Sequence, residues 1–188
     1  MFDLFNPTIF VVLVESILFG VTMKIADLLD EHGLEWFTGS AILFGLLWGS
    51  FGSLLMLGND YLAIFLAVLL IHWILRYRID YLNHGIAASI MLITLLYIFP
   101  SIAFDWFFFL FIFLSFSVHG LLNDASDRGE IKGIVSKYFK SNIHWVWVPL
   151  ISVFIFPANY LVFWVSTLFI ISYEATSKLG LKIIEKQN

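Results

Sequence analysis

Residues 145–173 read WVWVPLISVFIFPANYLVFWVSTLFIISY, a run of 29 residues without one charged side chain. A membrane-spanning helix needs about 20 apolar residues, so this run is too long for one upright crossing and must be split or strongly tilted. Pro157, Ala158 and Asn159 stand near its middle. Proline lacks the N–H that continues a helix, and asparagine suits a turn. The reading is two short spans, roughly 142–156 and 158–174, joined at that turn.

Further apolar stretches run roughly over 8–26, 38–57, 61–77, 85–100 and 103–122, which brings the expected number of crossings to seven. Charge parity supports an odd number. With seven spans, Lys178, Lys182 and Lys186 fall on the same side as Lys24, Arg76, Arg78, Arg128, Lys132, Lys137 and Lys140, the whole set of ten basic residues. The short loops of the other side carry Asp3, Asp60 and Asp105. The positive-inside rule then places the N-terminus outside, the C-terminus in the cytoplasm and the chain in the cell membrane. The start, Met-Phe-Asp-Leu-Phe-Asn-Pro, lacks the basic region of a cleavable signal peptide, so the first helix is expected to stay.

Composition agrees. Hydrophobic residues make up 61% of the 188 and charged ones 13%, which excludes a soluble core and makes the bilayer the solvent for most of the chain. The expected class is all-α, a polytopic membrane bundle forming one domain over residues 1–188. No nucleic-acid footprint is present, and the absence of cysteine excludes disulfides, thiolate metal sites and a cysteine nucleophile. Between 131 and 140, Ile131, Ile134, Val135, Tyr138 and Phe139 recur at helical spacing with lysines between them, which predicts an amphipathic helix lying in the cytoplasmic interface. Gly45 and Gly49 form a GxxxG face that permits close helix packing or a homo-oligomer. Trp36, Trp145, Trp147 and Trp106 fall at span boundaries, where anchoring is the ordinary role.

Three polar motifs lie at the cytoplasmic ends of the first, third and fifth spans: Asp27 to His32, Asp80 to His84, and His119 followed by Asn123 to Glu130. Helix ends are polar in any membrane protein, and for Glu31, Glu35 and Lys132 that reading suffices. The pairs Asp27/Asp30 and Asp124/Asp127 are different, because i,i+3 spacing puts like charges on one helical face, where they repel unless a cation lies between them. Oxygen ligands suit magnesium, with manganese as the alternative, and magnesium commonly completes its shell with phosphate oxygens. Zinc fits less well, since the histidines show no HxxxH or HExxH spacing. Lys24, Arg76, Arg78 and Arg128 are candidates to hold phosphate, against plain positive-inside anchoring. His119 is a candidate general base or a packing residue between helices. Glu15 and His72 lie deeper in their spans, where ionisable groups often mark ion or proton routes. Lys24-Ile25-Ala26-Asp27 leading to His32-Gly33 is echoed by Arg78-Ile79-Asp80 leading to His84-Gly85, the mark of a duplication or of biased composition.

At Asn123-Asp124-x-x-Asp127, and more loosely at Asp27-x-x-Asp30-Glu31, the chain resembles the UbiA-type polyprenyl transferase superfamily, whose NDxxDxxxD motifs lie at cytoplasmic helix ends. Ile131 stands where the third acid of that motif would fall. The resemblance implies magnesium and an isoprenoid diphosphate held by Asn123, Asp124 and Asp127 on one side and by Asp27 with Asp30 or Glu31 on the other. The leading expectation is a magnesium-dependent enzyme acting on a phosphorylated or diphosphorylated lipid at the cytoplasmic face. In it Asp27, Asp30, Asp124 and Asp127 hold metal; Lys24, Arg78, Arg128, Asn123 and Asn83 hold substrate; and His119, Asp80 and His84 act on the acceptor. The competing expectations are a small cation- or proton-coupled transporter or channel in which Glu15, His72, Asp80 and the acidic mouth form the route, and a non-catalytic membrane subunit.

Overall fold

The computed structural model describes residues 8–34 and 36–187; Asp3, Glu35 and the N-terminal heptapeptide lie outside them. The described residues form eight α-helices: α1 (Ile9–Asp30), α2 (Ser40–Gly58), α3 (Asp60–Leu75), α4 (Leu82–Ile98), α5 (Trp106–Asp127), α6 (Gly133–Lys140), α7 (His144–Ile155) and α8 (Tyr160–Gln187). No strand occurs among the described residues. Five helices, α1, α2, α4, α5 and α8, are long and apolar enough to cross a membrane, and the protein is a helical membrane bundle. At 1.5 Å per residue the 22 residues of α1 and of α5 reach about 33 Å, enough for a hydrocarbon core of about 30 Å. The 12 residues of α7 reach only about 18 Å.

The long apolar run does break at Pro157, where a single 3-10 turn, Pro157–Asn159, separates α7 from α8. Asn159 is fully buried in that turn and its amide donates to Ser152 Oγ at 3.1 Å, tying the two helices together. α8 continues well past the expected end near residue 174, because the residues that follow are mostly good helix formers and Gly180 is packed against Leu28 of α1.

Contacts set the relative directions of the helices. α8 runs parallel to α1: Ser16 Oγ donates to the carbonyl of Val165 at 2.7 Å, Gly20 meets Phe169 and Ser172, and Leu28 meets Gly180. α4 runs parallel to α2, with Gly45 against Asn83, Gly49 against Ala87 and Gly52 against Met91. A β-carbon on Gly45 would lie 2.8 Å from the Asn83 carbonyl oxygen, and one on Gly49 2.8 Å from the Ala87 α-carbon. The small face of α2 is therefore occupied by α4 of the same chain, where close approach of two backbones replaces the hydrophobic driving force that lipid removes. α5 runs parallel to α3, with Tyr61 near Asp105, His72 near Ser117 and Arg76 near Asp124. α3 lies at the centre, every residue from Leu62 to Leu70 being buried. Helices around it take the lipid-facing role, so its 16 residues need not match the bilayer alone.

α6 forms two residues later than the periodicity of 131–140 implies. Gly133 has φ +70°, and Ile131 and Lys132 belong to the turn before it.

Candidate functional site

The parallel run of α1, α3, α5 and α8 brings their C-terminal halves to one end of the bundle, where a cavity of about 380 Å³ opens. That volume lies in the range of small-molecule sites. Asp27 and Glu31 reach it from α1 and the turn after it, Arg76, Arg78 and Asp80 from the end of α3 and its loop, His84 from α4, His119 and Asn123 from α5, and Tyr173 from α8. All three polar motifs thus contribute to one space.

The first wall is built on His84. Its Nε2 lies 3.0 Å from Asp27 Oδ1 and its Nδ1 3.1 Å from Asp80 Oδ1, both within hydrogen-bond reach. Glu31 Oε1 stands 3.9 Å from the same Nε2. Asp27 is buried, and its second oxygen accepts from the Tyr173 hydroxyl at 2.7 Å and pairs with Lys24 Nζ at 3.5 Å. Lys24 also donates to the Tyr173 hydroxyl at 3.3 Å, so it steadies Asp27 from behind and is absent from the cavity lining. Trp48 meets the His84 ring edge to face at 5.4 Å between centroids and fixes its plane. Candidate ligand atoms of Asp27, Glu31 and His84 all lie within 4.8 Å of one another. Desolvation first, and the neighbouring Asp27 charge second, raise the Glu31 carboxyl above the usual carboxylate range. Such a group gains most from a cation at its side.

These three residues offer two carboxylates and one imidazole nitrogen, with a second carboxylate, Asp80, on the far nitrogen. A histidine ligand backed by a carboxylate is a common arrangement around bound metal. The donors fit a divalent cation. Of the residues expected to hold metal, Asp27 belongs to this group; Asp30 is only partly buried and lies outside both the group and the cavity lining, and Glu31, one residue further on, lies in both.

The cavity is also lined by basic side chains. Arg76 donates to both oxygens of Asp124, from Nη2 to Oδ1 at 2.5 Å and from Nε to Oδ2 at 3.2 Å, and reaches Asn123 Oδ1 at 3.4 Å. Arg78 Nη2 lies 3.5 Å from Asp124 Oδ1. The carboxylate of Asp124 is thereby engaged by two guanidinium groups. Asp127 is exposed and pairs with Lys140 at 3.3 Å, and Arg128 pairs with its neighbour Glu130 at 2.6 Å. The sequence-predicted pair Asp124/Asp127 therefore serves charge pairs here, and Arg128 is turned to a local partner.

Histidines line the floor. His119 is buried, its Nε2 donates to the Phe139 carbonyl at 3.2 Å, and its ring stacks on His144 at 3.6 Å between centroids. Asn123 Nδ2 donates to the same carbonyl at 3.0 Å. His72 Nε2 is 3.0 Å from Ser117 Oγ. Asn83, expected to bind substrate, is instead fully buried between helices: its Nδ2 donates to the Ala26 carbonyl at 2.9 Å and its Oδ1 accepts from the His84 N–H at 2.6 Å. Its role is to hold α4 against α1 and so place His84.

Sequence reasoning passed over several of the residues that matter. Tyr173 carries no local signal, because it sits 146 residues from the Asp27 it bonds. His144 and Trp145 read as boundary residues, yet both line the cavity. Of the two histidines in the echoed segments, His32 is exposed beyond α1 while His84 is buried inside α4.

No family model matches the sequence, and no curated protein or solved structure matches the chain.

Proposed function

We propose that the protein is a membrane-embedded, metal-dependent enzyme acting on a phosphorylated or diphosphorylated lipid, an isoprenoid diphosphate being the most concrete case, with the cavity at the cytoplasmic face. The observation that carries this reading is the division of one cavity into a carboxylate and imidazole wall (Asp27, Glu31, His84) and a cationic wall (Arg76, Arg78, Lys140). Metal and phosphate need opposite charges at close range, and the two walls supply both. Aromatic side chains at the cavity, Trp48, Phe116 and Trp145, offer an apolar path for a lipid chain. The parallel packing of α1, α3, α5 and α8 supports seven crossings with the basic ends together, and the α7–α8 hairpin returns the C-terminus to that end however deeply α7 inserts.

Asp27, Glu31 and His84 would hold the cation, which supplies charge neutralisation on the phosphate and on the departing oxygen. Asp80 fixes the His84 ring so that Nε2 faces the cation. Tyr173 and Lys24 keep Asp27 in place. Arg76 and Arg78, already presented to Asp124, orient the phosphate. The two carboxylates suit magnesium or manganese and the imidazole suits zinc, so all three cations are candidates. The acid-rich motif that resembles the UbiA-type enzymes contributes through Asn123 and Asp124, which set Arg76.

The test is thermal unfolding of the detergent-purified protein with manganese, magnesium or zinc, each with and without geranylgeranyl diphosphate. Stabilisation that needs metal and diphosphate together supports the reading. If neither ligand shifts unfolding, the enzyme reading fails, and the transport reading gains weight. That second reading rests on Glu15, whose Oε2 is buried in α1 with no hydrogen-bond partner among the described residues, and on His72 at the cavity. Proton flux in liposomes lost on Glu15→Gln would favour it.

A further inference from the structure

The helix α6 covers one side of the cavity while its other side is unpartnered. On the cavity side, the Phe139 carbonyl takes both hydrogen bonds from α5, from His119 and from Asn123, and Lys140 pairs with Asp127. On the outer side, Ile134 is 83% exposed and Val135 48% exposed, while the Tyr138 ring meets that of His119 at 6.2 Å between centroids. Lys132 and Lys137 are exposed as well, and no acidic residue occurs between Glu130 and Glu174. The linker that leads into α6 has Gly129 at φ +78° and Gly133 at φ +70°, and nothing lies within 4 Å of where either β-carbon would be. A short helix with one latched end, a glycine at each end of its entry linker and a free apolar and cationic face is built to respond to what that face touches.

We propose that the outer face of α6 docks on the anionic headgroup layer of the protein's own membrane, and that this contact holds α6 closed over the cavity. Ile134 and Val135 insert at the level where headgroups meet acyl chains, and Lys132 and Lys137 meet lipid phosphates. Charge complementarity identifies the occupant: an apolar patch alone would fit any hydrophobic partner, but the nearby acids Asp127 and Glu130 are already paired with Lys140 and Arg128, and Lys132 and Lys137, which form no salt bridge among the described residues, select a negatively charged surface. Because the same helix carries the Phe139 carbonyl, lipid charge is transmitted to His119 and Asn123, and membrane composition sets how readily the cavity opens.

The chain has no cysteine, so one introduced thiol reports without background. Ser141 lines the cavity just beyond α6. The experiment places the full-length Ser141→Cys protein in nanodiscs of phosphatidylcholine alone or with phosphatidylglycerol and measures the rate of labelling by a water-soluble maleimide. Labelling is expected to slow roughly tenfold or more in the anionic discs, the scale set by two lysines at a charged surface. Adding Lys132→Gln and Lys137→Gln should remove the difference, and Ile134→Ser should reduce it. Equal rates in the two lipids overturn the proposal, as does a difference that survives the double lysine substitution. Rates that follow the number of protein copies per disc rather than lipid charge overturn it too, and assign the face to a second copy. None of these readouts depends on catalysis, so the result stands apart from the enzyme reading.

Discussion

His84 Nε2 lies 3.0 Å from Asp27 Oδ1, joining a residue of α4 to one of α1 that precedes it by 57 positions. Both side chains are buried, and each is held from behind, Asp27 by Lys24 and Tyr173 and His84 by Asp80. This pair is the hinge of the site because the remaining candidate cation ligand, Glu31, gathers on it.

Neutralising Asp27 should damage the protein itself. Asp27→Asn leaves the buried Lys24 ammonium without its anionic partner, and breaking a buried pair costs about 3 to 5 kcal/mol. Tyr173→Phe removes two hydrogen bonds, the one donated to Asp27 and the one accepted from Lys24, leaves the ion pair in place, and should cost about 1 to 3 kcal/mol. Denaturant or thermal unfolding in detergent would check the order; equal effects of the two substitutions would contradict the arrangement described.

Glu31→Gln should behave in the opposite way. The Glu31 carboxyl is raised by desolvation and by Asp27, so the folded state holds its proton at higher pH than the unfolded state does. Its contribution to stability is therefore most favourable below the unfolded value and falls as pH rises through the interval up to the raised folded value. Melting curves collected from about pH 4 to pH 8 should lose that slope in Glu31→Gln, whose metal-free protein should be at least as stable as wild type at neutral pH. Its stabilisation by manganese should be lost.

The two assignments of the metal make different forecasts for Asp124. With Asp124 engaged by Arg76 and Arg78, Asp124→Asn should keep the manganese response and weaken the pyrophosphate response, because Arg76 loses its bidentate partner. Arg76→Lys should weaken pyrophosphate binding by about tenfold, since an ammonium group cannot reproduce a bidentate fork. Isothermal titration with each ligand separately would measure both. Loss of manganese binding in Asp124→Asn would return the metal to the aspartate-rich motif of α5.

Gly49→Leu should destabilise the bundle without altering its oligomeric state. A β-carbon there already meets α4 backbone, and forcing bulk into a packed contact costs about 1 to 3 kcal/mol or more. Light scattering of the purified protein would show the same mass for wild type and variant if the face is internal, and a dissociated species if it joined two copies.

Much of the architecture was legible from composition and spacing. Hydrophobic length is a local property, and lipid leaves the backbone no structure but a helix or a closed barrel, so the all-helical membrane class and the break at Pro157 follow from the residues alone. The gathering of polar motifs at one set of helix ends was equally readable, because charges are excluded from the hydrocarbon.

What the tertiary structure decided is the rotation of each helix about its own axis. Asp30 and Glu31 are adjacent in sequence but about 100° apart around a helix, and only the packing of α1 against α8 and of α4 against α2 turns Glu31 rather than Asp30 toward His84. The same rotation presents Asp124 to Arg76 and leaves Asp127 to Lys140. Those angles are set by where small residues let backbones approach, by Gly20 against Phe169 and Gly45 against Asn83, contacts between segments far apart in the chain. The sequence by itself therefore determined which residues reach the polar end of the bundle, and the packing of distant helices determined which of them face one another.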